Sequence, residues 1–375
     1  MICDGNFYTS DDVTRLLQFA INAGASEIHV NEFDFVKVEI QGRFKVFSDH
    51  VLDEYEVSNI CDVLYQGDTG TAIVNSGIEL DHEYEIKIKK DGDSIRKSFR
   101  FRVNSACATS GSSFNPSITI RILNDGAPDW DEMGYEEELY QAMRPKNGLI
   151  VVSGATGSGK TTLLAAYIKR ILQTRDNEKV VMIESPIEYN QKPYQTDTTI
   201  VVQRAVGRDT KTFSSGLRAS LRQHPTIIVV GESRDAETIE TSLNGCQTGH
   251  LVATTTHSNS AAEIIPRMLD EFPSSERQSK LSSLVYNLRV IINQELALSE
   301  DGGRVAIREY LIVTPEIRDI LDATPYLDIK KTVRRLINEE GRSAYKHALE
   351  YYQKGLLKKE FLDRLYVDNM RELDG

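Results

Sequence analysis

The stretch GATGSGKTT, residues 154–162, combines residue types that are suited to binding phosphate groups. It matches the pattern G-x-x-x-x-G-K-[ST]. Glycines let the backbone N–H groups surround an anion, and a following helix N-terminus adds a positive dipole end. In this pattern the lysine reaches the β- and γ-phosphates, and the threonine hydroxyl ligates Mg²⁺. We therefore predict that a nucleotide is bound by these loop residues: Gly154, Thr156, Gly157, Ser158, Gly159, Lys160, Thr161 and Thr162.

The flanking sequence predicts the elements that position this loop. The apolar run LIVV before it is typical of a buried strand, and residues 161–172 after it repeat apolar positions at helical spacing. Further short apolar runs occupy residues 180–183, 226–230 and 251–254, and helical patterns separate them. Because these strands do not alternate with polar residues, they predict a mostly parallel sheet covered on both faces.

Two glutamates follow strands of this predicted sheet, at the edge where ligands bind in such folds. Glu232 comes just after the run TIIVV, where an acid could hold the Mg²⁺ shell together with Thr161. Glu184 ends the run VVMI, where it could align or deprotonate the attacking water. The alternative, that each carboxylate only caps the next helix, remains open at this point.

Two histidines flank the predicted strand at residues 251–254. His250 precedes it and His257 follows it. A single histidine is more often structural than catalytic, but two beside a phosphate-binding loop favour roles in nucleotide binding and catalysis. We therefore include His250 among the predicted nucleotide-binding residues and His257 among the catalytic ones.

Composition limits the classes of function. The chain has 375 residues and a formal net charge of −12, which argues against broad binding to nucleic acid, since that depends on Lys and Arg contacts to phosphate. No apolar run reaches the length of a membrane span, and the N-terminus lacks the features of a signal peptide. The four cysteines are scattered singly. These features predict a soluble protein of the cytoplasm.

The pattern of elements predicts four segments. Residues 1–125 alternate between strand and helix patterns and predict a small α+β domain. Residues 126–146 predict a linker, with turn residues at its start and the acidic, helix-like stretch EEELYQAM after them. Residues 147–323 carry the apolar strands of the nucleotide-binding domain. Residues 324–375 predict a polar, helical C-terminal subdomain.

Four sequence boxes, in order, resemble those of the secretion-superfamily ATPases, the motors of type II and type IV secretion and of type IV pili. They are GATGSGKTT, VMIESPIEY, LRASLRQHPTIIVVGESRDAET and TGHLVATTTHSNSAAEIIPRML. The N-terminal stretches AGASEIHV and SFRFRVN are similar to that family as well. The resemblance covers nearly the whole chain.

The resemblance implies a PAS-like N-terminal domain on a RecA-like ATPase domain, and a cytoplasmic homohexamer. It implies Mg²⁺-dependent ATP hydrolysis at the cytoplasmic face of the inner membrane, where the motor docks on a secretion or conjugation complex. It also implies that arginines of the N-terminal domain reach the nucleotide as catalytic groups. Arg102 and Arg121 are the candidates, with Arg100 beside them.

Within the superfamily, the compact chain and the segment RVAIREYLIVTPEIRDIL resemble PilT-like retraction ATPases, and still more the DotB/TraJ ATPases of type IVB secretion and conjugation. Two alternatives remain open: a motor for pilus retraction, and a nucleotide-gated assembly platform with little hydrolysis. Ser185 supports the second, because it stands where the family's acidic box has an aspartate. A motor acting directly on DNA is disfavoured by the acidic net charge.

Overall fold

The chain folds into two compact units, Met1–Gly126 and Ala127–Gly375. The computed structural model describes residues 2–89, 96–110, 113–123 and 126–374. Each unit is built around a sheet of its own, six-stranded in the first and seven-stranded in the second.

The first unit is an antiparallel sheet with helices packed on one face. The strand order is β3-β2-β1-β6-β5-β4. In chain order, the elements are α1 (Ser10–Asn22), β1 (Glu27–Val30), β2 (Phe35–Ile40), β3 (Arg43–Val51), α2 (Glu54–Tyr65), α3 (Gly70–Asn75), β4 (Leu80–Lys89), β5 (Arg96–Ser110) and β6 (Ser113–Leu123).

Alternation along the strands divides this sheet into a core face and an open face. Ile28 and Val30 of β1 are fully buried with the apolar side of α1, while Glu27 and His29, which alternate with them, lie on the opposite face. This is the period of two expected when one face packs and the other meets solvent. Thr9 caps the N-terminus of α1, and its side chain forms a capping box with Asp12.

The second unit has a sheet in the order β13-β12-β7-β11-β10-β8-β9. All neighbouring pairs are parallel except β12 and β13. The strands are β7 (Gly148–Ser153), β8 (Lys179–Glu184), β9 (Ile200–Ala205), β10 (Ile227–Val230), β11 (Leu251–Thr256), β12 (Leu288–Leu298) and β13 (Arg304–Ile312). Every residue of β7, β10 and β11 is buried, as expected for central strands with both faces covered.

Ten helices of the described chain belong to this unit and cover the sheet. They are α4 (Glu137–Ala142), α5 (Lys160–Thr174), α6 (Phe213–Leu221), α7 (Ala236–Gln247), α8 (Ile264–Leu269), α9 (Arg277–Asn287), α10 (Pro315–Asp322), α11 (Ile329–Glu339), α12 (Ala344–Gln353) and α13 (Lys359–Asp374). None of the helices described is long and apolar enough to cross a membrane.

The segment expected to be a linker packs inside the second unit. Trp130, Leu139 and Met143 are buried in one hydrophobic cluster with α5 and the central strands. The Tyr167 hydroxyl of α5 donates a 2.5 Å hydrogen bond to the Met143 carbonyl. The sequence predicted a linker here with a helix-like stretch inside it, and α4 (Glu137–Ala142) lies in that stretch. Burial of the aromatic and aliphatic side chains against the sheet stabilises this packing. Residues 127–146 are therefore part of the second compact unit.

The C-terminal helices also pack onto this unit. Val333 and Leu336 of α11 join the main core, and Ala348 of α12 lies in a smaller cluster with Ala297 and Ile307 of the β12–β13 pair. The helical content expected for residues 324–375 is present in the described part of that segment.

Candidate functional site

The phosphate-type loop connects β7 to α5, at the carboxyl end of a central strand. Gly154, Gly157 and Gly159 have φ angles of +144°, +77° and +84°, which side-chain-bearing residues rarely adopt. At Gly154 a Cβ atom would also lie 2.3 Å from the Gln294 carbonyl oxygen and 2.5 Å from the Ser158 hydroxyl oxygen. Conformation and space both require glycine at position 154.

Lys160 is the first residue of α5 and folds back over the loop. Its ammonium group donates hydrogen bonds to the carbonyls of Gly154 at 2.8 Å and Ala155 at 3.0 Å. Burial lowers the pKa of Lys160, and the negative charges of Glu232 and Glu188 oppose that effect. A positive charge is thus held beside the loop that would surround the phosphates.

The loop offers further groups suited to a nucleotide. Ser158 is buried, and its hydroxyl oxygen finds no hydrogen-bond partner among the residues described. Ala155, Thr156 and Gly157 at the tip of the loop are exposed, and Thr161 and Thr162 are partly buried in the first turn of α5. The orphaned hydroxyl and the glycine-lined turn fit a phosphate chain and its cation.

Glu232 and His257 meet next to this loop. Glu232 follows β10 by two residues, and its side chain is 14% exposed. It forms a close ion pair with Arg234, and one of its oxygens lies 3.2 Å from Nε2 of His257. The other ring nitrogen of His257 lies 3.2 Å from the Gly154 carbonyl oxygen. His257 therefore connects the carboxylate to the start of the loop.

Glu184 ends β8, the strand next to β10, and is buried. Its carboxylate accepts a 2.9 Å hydrogen bond from the Gln203 side chain, which also donates to the Tyr189 carbonyl at 2.9 Å. The Tyr189 hydroxyl lies 3.1 Å from the Thr162 hydroxyl. A chain of polar contacts thus connects Glu184 to the helix that follows the loop.

The structure does not bring His250 to this edge of the sheet. His250 directly precedes β11, and its carbonyl accepts a hydrogen bond from the backbone N–H of Gly148, where β7 begins. Its Nδ1 lies 3.1 Å from the Gly245 carbonyl oxygen. At about 3.3 Å per residue, the strand separates His250 from His257 by roughly 20 Å. Within one chain, His250 lies at the opposite edge from the loop.

Two side chains of β12 support the loop and were missed by the sequence analysis. Gln294 donates a 2.8 Å hydrogen bond to the Ser158 carbonyl, and Asn293 donates to the Ser153 hydroxyl at 2.9 Å and to the Ser258 carbonyl at 3.0 Å. The available signal was a polar Asn-Gln pair directly after the apolar run at residues 290–292. An amide at such a position needs internal partners once it is buried.

The two candidate arginines lie on the open face of the first unit, each in an ion pair. Arg102 donates to both carboxylate oxygens of Asp81, at 2.9 and 2.6 Å. Arg121 binds Glu27, with a shortest N–O separation of 2.6 Å. Arg121 on β6 lies directly opposite Glu27 on β1. Arg102 on β5 and Asp81 on β4 occupy diagonal positions on adjacent strands.

The parallel α/β sheet and the lysine-bearing loop at its carboxyl edge define a P-loop nucleotide-binding protein. The family model described as "Type II/IV secretion system protein" matches residues 5–301, and the chain belongs to that family. The predicted family membership is confirmed.

A relative that aligns over nearly its whole length supports the same assignment. The type IV pilus retraction ATPase PilT of Pseudomonas aeruginosa is 32% identical over 362 residues, which cover 96% of this chain and 97% of that protein. Alignments to three further curated relatives each span 62% of those proteins' length.

Solved structures agree with the fold. The ATPase DotB of Legionella pneumophila superposes with a TM-score of 0.83 at 30% identity, covering 97% of each chain. The pilus retraction motor PilT with bound ADP gives a TM-score of 0.77 at 30% identity, covering 93% of this chain and 95% of the other. The predicted fold class is confirmed: a PAS-like α+β domain, a RecA-like P-loop domain with a mostly parallel sheet, and a helical C-terminal region.

Proposed function

We propose that the protein is a Mg²⁺-dependent ATPase that works as a homohexameric motor of a type IVB secretion or conjugation apparatus. The observation that carries the activity is the meeting of the loop, Lys160, Glu232, His257 and Glu184 at one edge of the sheet. The similarity to DotB over 97% of both chains supports the choice of apparatus.

The loop and its lysine would bind the phosphates. The Lys160 ammonium group exchanges the Gly154 and Ala155 carbonyls for β- and γ-phosphate oxygens, and the first backbone N–H groups of α5 complete the cradle. The cost of burying the Lys160 charge is recovered when it meets an anion there.

Thr161 and Glu232 would hold the cation. A Mg²⁺ ion bound there neutralises charge on the phosphate oxygens. The Thr161 hydroxyl lies in the first turn of α5, and Glu232 is already oriented by Arg234 and His257. Such a fixed orientation matters because catalysis of phosphoryl transfer depends on positioning and electrostatic stabilisation.

Glu184 would align the attacking water. Its contact with Gln203 fixes the carboxylate at the end of β8, one strand away from Glu232. Ser185 follows it where the family has an aspartate, so this position lacks a second acid. We assign the water-positioning role to Glu184 and leave His250 out of the site, because it lies at the opposite sheet edge.

Arg102 and Arg121 would complete a site after assembly of the hexamer. Each must leave its carboxylate partner, Asp81 or Glu27, to act on a nucleotide. An isolated protomer should therefore hydrolyse ATP slowly, as arginines supplied by a partner accelerate phosphoryl transfer strongly. We place the hexamer at the cytoplasmic face of the inner membrane, docked on membrane components of the apparatus.

Replacement of the P-loop lysine tests the site. Lys160→Ala should lower steady-state ATP turnover to background, because the charge beside the β- and γ-phosphates is lost. The exposed Lys211 of the same unit provides the control, and Lys211→Ala should keep the wild-type rate. Undiminished turnover by folded Lys160→Ala protein would contradict the proposed site.

A second candidate function is pilus retraction. It is favoured by the 32% identity to PilT over nearly the full length of both proteins. Deletion of the coding gene distinguishes the two: loss of secretion or DNA transfer supports the first proposal, and accumulation of surface pili supports the second. A wild-type turnover indistinguishable from that of Lys160→Ala would instead favour a nucleotide-gated platform.

A further inference from the structure

The open face of the first unit brings two glutamates and a histidine together. In the antiparallel pair of β1 and β2, Glu27 lies directly opposite Glu39, and His29 is two residues along β1 on the same face. One ligand atom from each of the three side chains lies within 4.8 Å of the others. All three residues are partly buried.

One negative charge of this cluster, that of Glu39, has no balancing partner among the described residues. Two like charges directly opposite each other across strands are destabilising. Arg121 neutralises Glu27 from the other side, on β6. For Glu39, the described chain offers no ion pair or side-chain hydrogen bond. A cation between the two glutamates would remove this repulsion.

His29 provides a second, independent observation. Its Nε2 atom is buried, has no hydrogen-bond partner among the described residues, and lies 3.6 Å from a Glu27 oxygen. The Phe44 ring packs edge-on against the imidazole at 5.2 Å. Nδ1 lies 3.5 Å from the Thr119 hydroxyl oxygen, an outer partner of the kind that orients metal-bound histidines. The free nitrogen is thus held toward the carboxylates.

His50, in the same unit, is a histidine whose two ring nitrogens both have partners within the protein. Its Nδ1 lies 2.7 Å from an Asp49 oxygen and its Nε2 lies 2.8 Å from a Glu56 oxygen. Both ring nitrogens are therefore already used. The contrast shows that His29, unlike His50, has coordinating capacity to spare.

We propose that Glu27, His29 and Glu39 form a binding site for a divalent transition-metal ion of the zinc class. One imidazole nitrogen with two carboxylate oxygens suits Zn²⁺, whereas Mg²⁺ and Ca²⁺ prefer oxygen ligands alone. Tetrahedral Zn²⁺ places its ligand atoms about 3.4 Å apart, so the side chains close in by roughly 1 Å from the present spread. A fourth position remains for water or for a ligand from a partner.

Metal binding would compete with Arg121 for Glu27. A cation on the carboxylate weakens its attraction for the guanidinium group, so the metal releases Arg121 from its ion pair. The consequence for catalysis rests on the proposed function, in which Arg121 completes a neighbouring site. The metal site itself does not depend on that function.

Zinc titration of the full-length, nucleotide-free protein tests the site. Because Glu232 and His257 could also bind Zn²⁺, the comparison is made between variants of the first unit alone. His29→Asn and Glu39→Gln should each lose one zinc equivalent or bind it at least about tenfold more weakly. Glu85→Gln, which removes an exposed carboxylate on β4, should bind zinc like the wild type.

For Arg121→Ala we expect the opposite effect on zinc affinity. It removes the competing cation, so zinc should bind about tenfold more tightly or better. A variant that only disturbed the fold would weaken binding instead. Thermal unfolding in the presence of a chelator checks that all variants fold, and Glu39→Gln on the open face decides the result if His29→Asn is unstable. The same zinc stoichiometry and affinity in wild type, His29→Asn and Glu39→Gln would overturn the proposal.

Discussion

At the scale of single residues, the candidate site depends on backbone conformations that only glycine adopts easily. Gly154 combines a positive φ with a contact that leaves no room for a methyl group, whereas Gly157 has a positive φ and open space around its Cβ position. Substitution of Gly157 therefore measures the free-energy cost of the backbone conformation alone, and substitution of Gly154 measures that cost together with steric overlap.

Gly154→Ala should reduce nucleotide affinity by at least about tenfold and destabilise the fold by about 2–4 kcal/mol, because the loop must move away from the Gln294 carbonyl. Gly157→Ala should cost only about 1 kcal/mol of stability. Binding of a fluorescent ATP analogue and urea unfolding of both variants measure the two effects. Equal losses would show that the Gln294 contact does not shape the loop.

At the scale of elements, a buried polar cluster joins three separate segments of the second unit. The His347 side chain on α12 is 1% exposed, accepts a 2.8 Å hydrogen bond from the Arg308 backbone on β13, and lies 3.2 Å from Glu136 at the start of α4. Burial, reinforced by the charges of Arg308 and Arg342 and opposed by Glu136, lowers the pKa of His347 to about 3. The cluster therefore favours neutral His347.

This cluster predicts a pH dependence of stability. Between the unfolded pKa of about 6.5 and the folded value of about 3, the unfolded chain binds a proton at His347 that the folded protein does not. Stability contributed by His347 is therefore present above pH 6.5 and is lost as the pH falls toward 3. We expect the free energy of unfolding of the wild type to fall by about 1–2 kcal/mol from this cause between pH 7 and pH 5.

His347→Gln should show a smaller loss over the same interval, because glutamine does not titrate. The free energy of unfolding in urea at pH 7 and pH 5 gives the comparison for both proteins. Parallel pH profiles of wild type and variant would mean that His347 titrates alike in the folded and unfolded states.

Some elements of the candidate site could be predicted from the sequence, and others could not. The β7–loop–α5 segment was predictable because its apolar run, its glycine-rich motif and its helical pattern are contiguous in the sequence. The two histidines flanking β11 looked equivalent in sequence, yet a parallel strand places its start and its end at opposite edges of the sheet. The support from Asn293 and Gln294 was not predictable from spacing, since β12 meets the loop only through tertiary packing.

At the scale of the whole molecule, two compact units carry complementary parts of the proposed mechanism. The second unit holds the phosphate loop and its acids, and the first holds Arg102 and Arg121 on its open face. The alternating pattern predicted a domain over residues 1–125, and the contacts within the chain divide it after Gly126. The burial of Trp130, Tyr135 and Tyr140 was not predicted, because turn residues precede them in the sequence.

In the proposed mechanism, neighbouring protomers complete each ATPase site. The most direct measurement is the steady-state ATPase rate per protomer as a function of protein concentration, with Lys160→Ala as the blank. We expect the specific activity to rise with concentration and to level off once the ring has assembled, as sedimentation of the same samples would record. A rate above the blank that stays constant while the protein changes from protomer to ring would contradict the claim.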